Sequence, residues 1–378
     1  MSEAGIPLSA PDIEEADIAA VTAVLRTSRL SLGPKLAEFE AAMAHYVGVP
    51  HAVAVSSGTA ALHLSLLALG IQPGDEVIVP SFTFIAVANA VRYVGAQPVF
   101  ADIDAETLNL APAGVEAAIT PRTRALIVVH TFGRPADPTL FAIARRHDLR
   151  VIEDASEAIG AEFEGRRAGS FGDTGIFAFY PNKQITTGEG GMVVTPDPQL
   201  ARRIAGLRNQ GRYPAPEPES AWFDHAELGY NYRIGEMECA LGLSQLSRID
   251  AILARREAVA RRYCELLGEA PGLVLPATDV PGQRLSWFVF VVRLTESFPP
   301  GTRDRVMQAL ASAGIATGRY FAPIHWQPAY AAWREPAKLP LTESIALRTL
   351  ALPFFNGITD AQLGRVAASL QAALRVNP

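Results

Sequence analysis

Residues 51–80 read HAVAVSSGTAALHLSLLALGIQPGDEVIVP. The apolar run "HAVAVS" has the length and composition of a strand. It runs into Ser-Ser-Gly-Thr and straight on into "GTAALHLSLLALG", which reads as a helix. A second apolar run, "DEVIVP", follows. Strand, helix and strand in succession are the grammar of a parallel sheet covered by helices on both faces.

The same grammar continues outward. "FIAVANAVRYVG" is helix-like, "QPVFADI" is a strand and "PAGVEAAI" a short helix, and "ALIVVH", "DPTLFAIARRHDL" and "RVIEDA" keep the alternation. It then breaks, because "TGIFAFY" and "GGMVVT" are two strands with no helix between them. The fold class that follows is α/β, a mostly parallel mixed sheet flanked by helices. "GRYPAPEPES" at 211–220 reads as a surface loop. A helical pattern from about Glu236 to Leu267 is long enough to link two domains. Beyond it, the strand "LSWFVFVVRL" and the helices "TRDRVMQALASAG" and "DAQLGRVAASLQAALR" form an α+β pattern. A chain of 378 residues suits two domains. We expect a large one over 1–250 and a small C-terminal one over 251–378.

Net charge is −6, and the arginines are scattered among acids, so no basic face for nucleic acid is expected. The two cysteines, Cys239 and Cys264, point to neither a disulfide framework nor a metal site. The first residues, "MSEAGIPLSAPDIEEAD", are acidic where a signal peptide would be basic and then apolar. No apolar run is long enough to span a bilayer. A soluble, cytoplasmic protein is the expectation.

Three segments sit where ligands bind in open α/β sheets, beyond the carboxyl ends of strands. In "SSGTAAL", Gly58 lets backbone approach a ligand, and the free amides of the first helical turn with Thr59 make an anion site. The alternative reading is a plain helix cap. In "VIEDASEAIGA", a strand delivers Glu153 and Asp154, and a buried Asp needs a cationic or hydrogen-bonding partner unless it only caps the next element. In "FAFYPNKQITTGEGG", Lys183 is one of three lysines in the chain, beside Lys35 and Lys338, and stands among aromatic residues. Desolvation there lowers its pKa and yields a nucleophilic amine, where an ordinary lysine would snorkel to the surface. Together, a phosphate cradle, a carboxylate for a ring cation and a desolvated lysine are the parts of a pyridoxal phosphate site. "GSFGDTG" at 169–175 does not fit a dinucleotide fingerprint.

These segments, with "GPKLAEFE", "PVFADID", "VVHTFG", "GYNYRIGEMECALGLSQL", "FAPIHWQPAY" and "LALPFFNGIT", resemble in content and order the DegT/StrS-type sugar aminotransferases of the fold-type I pyridoxal phosphate enzymes. The resemblance implies that Lys183 forms the Schiff base with the cofactor and that Asp154 partners the pyridine nitrogen. It further implies that Phe84 stacks on the ring and that Gly58 and Thr59 hold the phosphate. Asn231 would reach the phosphate of a neighbouring subunit in a homodimer with shared active sites. Glu189, Tyr320 and His325 resemble substrate-side positions, and His325 reads equally as a structural histidine. Two positions depart from the family. Ala178 stands where many relatives carry a phosphate-binding serine, and Glu157 where they carry Gln or His against the ring oxygen. A carboxylate facing a phenolate is repulsive, so Glu157 is expected to be protonated, paired with a cation or turned away.

The implied reaction transfers an amino group from L-glutamate to a nucleotide-linked keto-deoxysugar, at C4 rather than C3, through the pyridoxamine phosphate form. A cyclitol or other ketone as acceptor, a pyridoxamine-dependent dehydratase and a cofactor-binding regulator without turnover are the rival readings. The dehydratase reading conflicts with Lys183, since such relatives carry histidine there.

Overall fold

The protein is described here by a computed structural model covering residues 5–213, 224–268, 270–333 and 337–376. Most of the expected proline-rich loop, 214–220, lies outside the described residues.

Seven strands build the main sheet: β1 (His51–Val55), β2 (Glu76–Pro80), β3 (Gln97–Ala101), β4 (Thr123–Val129), β5 (Arg150–Asp154) and, after the two-residue strands β6 (Glu162–Phe163) and β7 (Arg166–Arg167), β8 (Thr174–Ala178) and β9 (Gly191–Thr195). Their order is β1-β9-β8-β5-β4-β2-β3. All run parallel except β9, which pairs antiparallel with both β1 and β8. The break in alternation is thus a hairpin inside a parallel sheet. The central strands are continuous apolar runs because helices cover both faces.

One helix decides the geometry of the site. Gly58–Ala68 starts directly after β1, and Ser57 caps it by accepting the Ala60 N–H at 3.1 Å. Nearly all its residues are buried, and it lies over β1, β8 and β9. In register, Val55 faces Gly191 and Gly191 faces Ala178. Gly191 has no room for a side chain: an added Cβ would lie 2.4 Å from the Ser57 carbonyl carbon.

A second apolar cluster surrounds the sheet of β10 (Leu273–Val274), β12 (Phe290–Leu294) and β13 (Thr349–Leu352), with helices Ile249–Leu267, Thr302–Ser312 and Asp360–Val376. The strand β11 (Gln283–Arg284) instead pairs with β6. A division into two domains near residue 250 stands as a proposal, and the chain crosses it in two places. Ile6 packs into the second cluster and bridges to Ile315, while β11 reaches back to the first body.

Two expectations are corrected. The helical pattern Glu236–Leu267 is two helices, Glu236–Ser247 and Ile249–Leu267, broken at Arg248 with φ −117° and ψ 18°. There Arg248 turns out to meet Asp12, Glu14 and Asp17. The strand expected over "LSWFVFVVRL" begins only at Phe290. Its leading residues leave the sheet, with the Ser286 N–H donating to the Gly133 carbonyl at 2.9 Å. Among the described residues, no helix is long and apolar enough to cross a membrane.

Candidate active site

The carboxyl ends of β1, β5 and β8 open into a cavity of about 400 Å³. Gly58, Thr59, Phe84, Asp154, Glu157, Lys183, Glu189 and Tyr320 all line it, so the structure brings together eight of the ten residues named from sequence.

Asp154 ends β5 and is buried. One oxygen accepts the Ser156 N–H at 3.0 Å, and the other has no protein partner among the described residues. Glu153, one position earlier, points to the opposite face, as strand alternation requires. It is fully buried and accepts the Gly169 N–H at 2.8 Å, the Gly172 N–H at 2.6 Å and the Phe171 N–H. His130 Nδ1 accepts the Ala136 N–H at 3.0 Å, so its Nε2 carries the proton and donates to Glu153 at 2.9 Å. Glu153 therefore anchors the "GSFGDTG" loop and takes no part in the cavity.

Lys183 lies on the β8–β9 loop. Phe179 and Gly190 close that loop through a backbone bond of 3.0 Å, and the Lys183 N–H donates to the Tyr180 carbonyl at 2.9 Å. Its side chain is only 14% exposed, with Nζ 4.0 Å from Glu157 Oε1. Burial pushes the amine below the usual lysine range, while Glu157 and Asp154 act the other way. Glu157 is buried, and its Oε2 accepts the Phe132 N–H at 2.8 Å. Burial lifts this carboxyl to about 7, against the lowering influence of Lys183 and the Phe132 amide, and Asp154 adds repulsion. Glu157 is thus neither turned away nor held in a close ion pair.

At the other end of the cavity, the amides of Gly58 and Thr59 have no protein acceptor among the described residues. The approach there is tight, since a Cβ on Gly58 would lie 2.7 Å from the Ala178 Cβ. Phe84 is 61% exposed, unusual for phenylalanine, and turns onto the cavity. These features fit pyridoxal phosphate: paired free amides for a phosphate, an unpartnered carboxylate oxygen for a ring nitrogen, an open aromatic face and a desolvated amine.

Asn231 and His325 lie outside the cavity lining. Asn231 is exposed, and its backbone bridges to Asn209. His325 is fully buried, bonded to Ser81 Oγ at 2.7 Å and to Glu343 Oε1 at 3.1 Å. Its geometry is that of the structural histidine. Sequence reasoning missed Ser57, Ser156, Asn182 and Phe288, which also line the cavity. Ser57 was findable as the residue preceding Gly-Thr, whereas Phe288 comes from a remote segment with no local signal.

The sequence matches the DegT/DnrJ/EryC1/StrS aminotransferase family over residues 11–371. It is 45% identical over 346 residues to the GDP-perosamine synthase of Caulobacter vibrioides, covering 91% of each chain. Its structure is similar to that of DesV from S. venezuelae, solved with a ketimine intermediate, with a TM-score of 0.89, 39% identity and 98% of each chain covered. It is also similar to Spr1654 of Streptococcus pneumoniae in its PLP form, with a TM-score of 0.92, 27% identity, and 99% of this chain and 100% of that chain covered. The α/β architecture is therefore that of the pyridoxal phosphate aminotransferases, and the chain belongs to the DegT/DnrJ/EryC1/StrS aminotransferase family.

Proposed function

We propose that this enzyme moves an amino group from L-glutamate to a nucleotide-linked keto-deoxysugar, with C4 favoured as the site of amination. The observation that carries the reading is the meeting of Lys183, Asp154 and the free Gly58 and Thr59 amides in one cavity. The 45% identity to a GDP-perosamine synthase supports a nucleotide-linked acceptor.

Bound pyridoxal phosphate supplies an electron sink for the carbon that bears the transferred nitrogen. The chain's own residues do the rest. The Gly58 and Thr59 amides at the helix N-terminus hold the phosphate. The open oxygen of Asp154 holds a proton on the ring nitrogen. Phe84 covers one ring face. Lys183, kept less basic by burial, takes a proton from the donor carbon and returns one to the acceptor. Burial raises the Glu157 carboxyl to about 7, so that it can take up a proton and face an oxygen anion without repulsion. Glu189 and Tyr320 stand on the acceptor side. Asn231, exposed on this chain, serves the site of a second copy in a homodimer. Synthesis of amino sugars for polysaccharides or glycosides in the cytoplasm is the matching role.

The test uses ¹⁵N-labelled L-glutamate and a panel of nucleotide ketosugars, with products weighed by mass spectrometry. Label in a nucleotide amino sugar is expected. Label transferred only to cyclitol or other ketones would overturn the acceptor class.

A further inference from the structure

The Lys183 amine has a neighbour to which the scheme above gives no task. Nζ lies 3.9 Å from the centroid of the Phe288 ring. No acceptor among the described residues is within hydrogen-bonding distance of Nζ, since Glu157 Oε1 is 4.0 Å away. The ring face is thus as near to the amine as the Glu157 carboxyl. Phe288 is buried and lines the same cavity.

The segment that carries the ring is held from both sides. Arg256 donates from Nε to the Trp287 carbonyl at 2.5 Å and from a terminal nitrogen to the Phe288 carbonyl at 2.8 Å. Gln184 Nε2 donates to Ser286 Oγ at 2.9 Å and to the Glu157 carbonyl at 2.7 Å. Gln184 follows Lys183, so one turn carries both the amine and an anchor for the segment that brings the ring. This anchoring explains why Ser286–Val289 leaves the strand pattern. A buried aliphatic side chain would fill the same volume, but only an aromatic face offers negative potential to a cation. The other ionisable groups lining the cavity are Glu157, Asp154, Glu189 and the phenols of Tyr180 and Tyr320.

We infer that Phe288 is a positioning residue whose ring face holds the Lys183 ammonium whenever that amine is free, keeping it beside Glu157 and inside the cavity. The inference rests on the reading of Lys183 as the group that moves the proton in transamination.

The chain has three lysines, so full-length protein labelled at lysine ¹³Cε gives three ε-methylene signals, and Lys183→Ala assigns the one of interest. Spectra are recorded without added cofactor and with pyridoxamine 5′-phosphate. The Lys183 ε-protons should lie upfield of the other two by ring current and show nuclear Overhauser contacts to an aromatic ring. Phe288→Leu should abolish both and lower the Lys183 titration midpoint by about half to one pH unit. Phe288→Tyr should keep both. A parent protein without the ring contacts overturns the inference, and this arm needs no variant to fold. So does a Leu variant that behaves like the Tyr variant. None of these readouts needs turnover, so a failure to transfer nitrogen from glutamate would overturn the proposed function and leave the ring contact standing.

Discussion

Lys183 Nζ and Glu157 Oε1 face each other at 4.0 Å across a desolvated cavity, with burial displacing both titrations toward neutrality. The pair is too far apart for a hydrogen bond and too buried for both charges to be well solvated. Burial raises the Glu157 carboxyl to about 7, which favours the protonated form that an acid facing a phenolate would need.

Replacement of Glu157 by Gln should therefore preserve cofactor absorbance and activity near pH 7. The effect on stability has a definite sign. Burial raises Glu157 from about 4.5 to about 7, so the folded state binds the extra proton. Its contribution is fully present below pH 4.5 and is lost as pH rises through about 7. The stability of Glu157→Gln relative to the parent should thus rise by roughly 2 to 3 kcal/mol between pH 4.5 and pH 8. Denaturant titrations at a series of pH values measure this, and a flat difference would contradict it.

Gly58 and Ala178 bring the helix start and the end of β8 together, with a Cβ on Gly58 placed 2.7 Å from that of Ala178. Gly58→Ala should cost roughly 1 to 3 kcal/mol of stability through overpacking. It should also weaken pyridoxal phosphate binding by moving the amides. Thermal unfolding and an absorbance titration report the two effects separately.

Glu153 lies one residue from Asp154 but serves the fold. Glu153→Ala strips an acceptor from three backbone amides and His130, and should cost roughly 3 to 5 kcal/mol. Asp154→Ala should instead leave folding largely intact and abolish tight cofactor retention. Similar losses of stability in the two variants would contradict this division of labour.

His325 behaves in the structure as a pin between Ser81 and Glu343. His325→Ala should lower the unfolding free energy by roughly 1 to 3 kcal/mol. Tyr320→Phe should act mainly on KM for the acceptor, because Tyr320 lines the cavity and His325 does not. Steady-state kinetics beside melting curves separate the two.

Much of this site was legible in the sequence because it is built at strand ends. The transition from "HAVAVS" to Gly58, the Asp154 terminus of β5 and the loop after β8 each carry a local signal, and the parallel order of β1, β8 and β5 makes them converge. What stayed hidden depends on contacts between remote segments. Arg248 breaks a continuous helical pattern where it meets Asp12, Glu14 and Asp17. Phe288 sits in an apolar run that reads as strand, and bonds from Arg256 and Gln184, with the Ser286 bond to Gly133, draw its segment out. Ile6, in the first residues of the chain, joins the core of the C-terminal body. Periodicity reports which face of an element is apolar and cannot report its distant partner.

The most direct test of the account is the visible absorbance of the protein loaded with pyridoxal phosphate, before and after addition of L-glutamate, with Lys183→Ala beside it. The parent should show a lysine-bound cofactor band that gives way to that of the pyridoxamine form on adding glutamate, and the variant should show no such conversion at a comparable rate. A parent that never forms the lysine-bound band, or a variant that converts as fast as the parent, would contradict the central role assigned to Lys183.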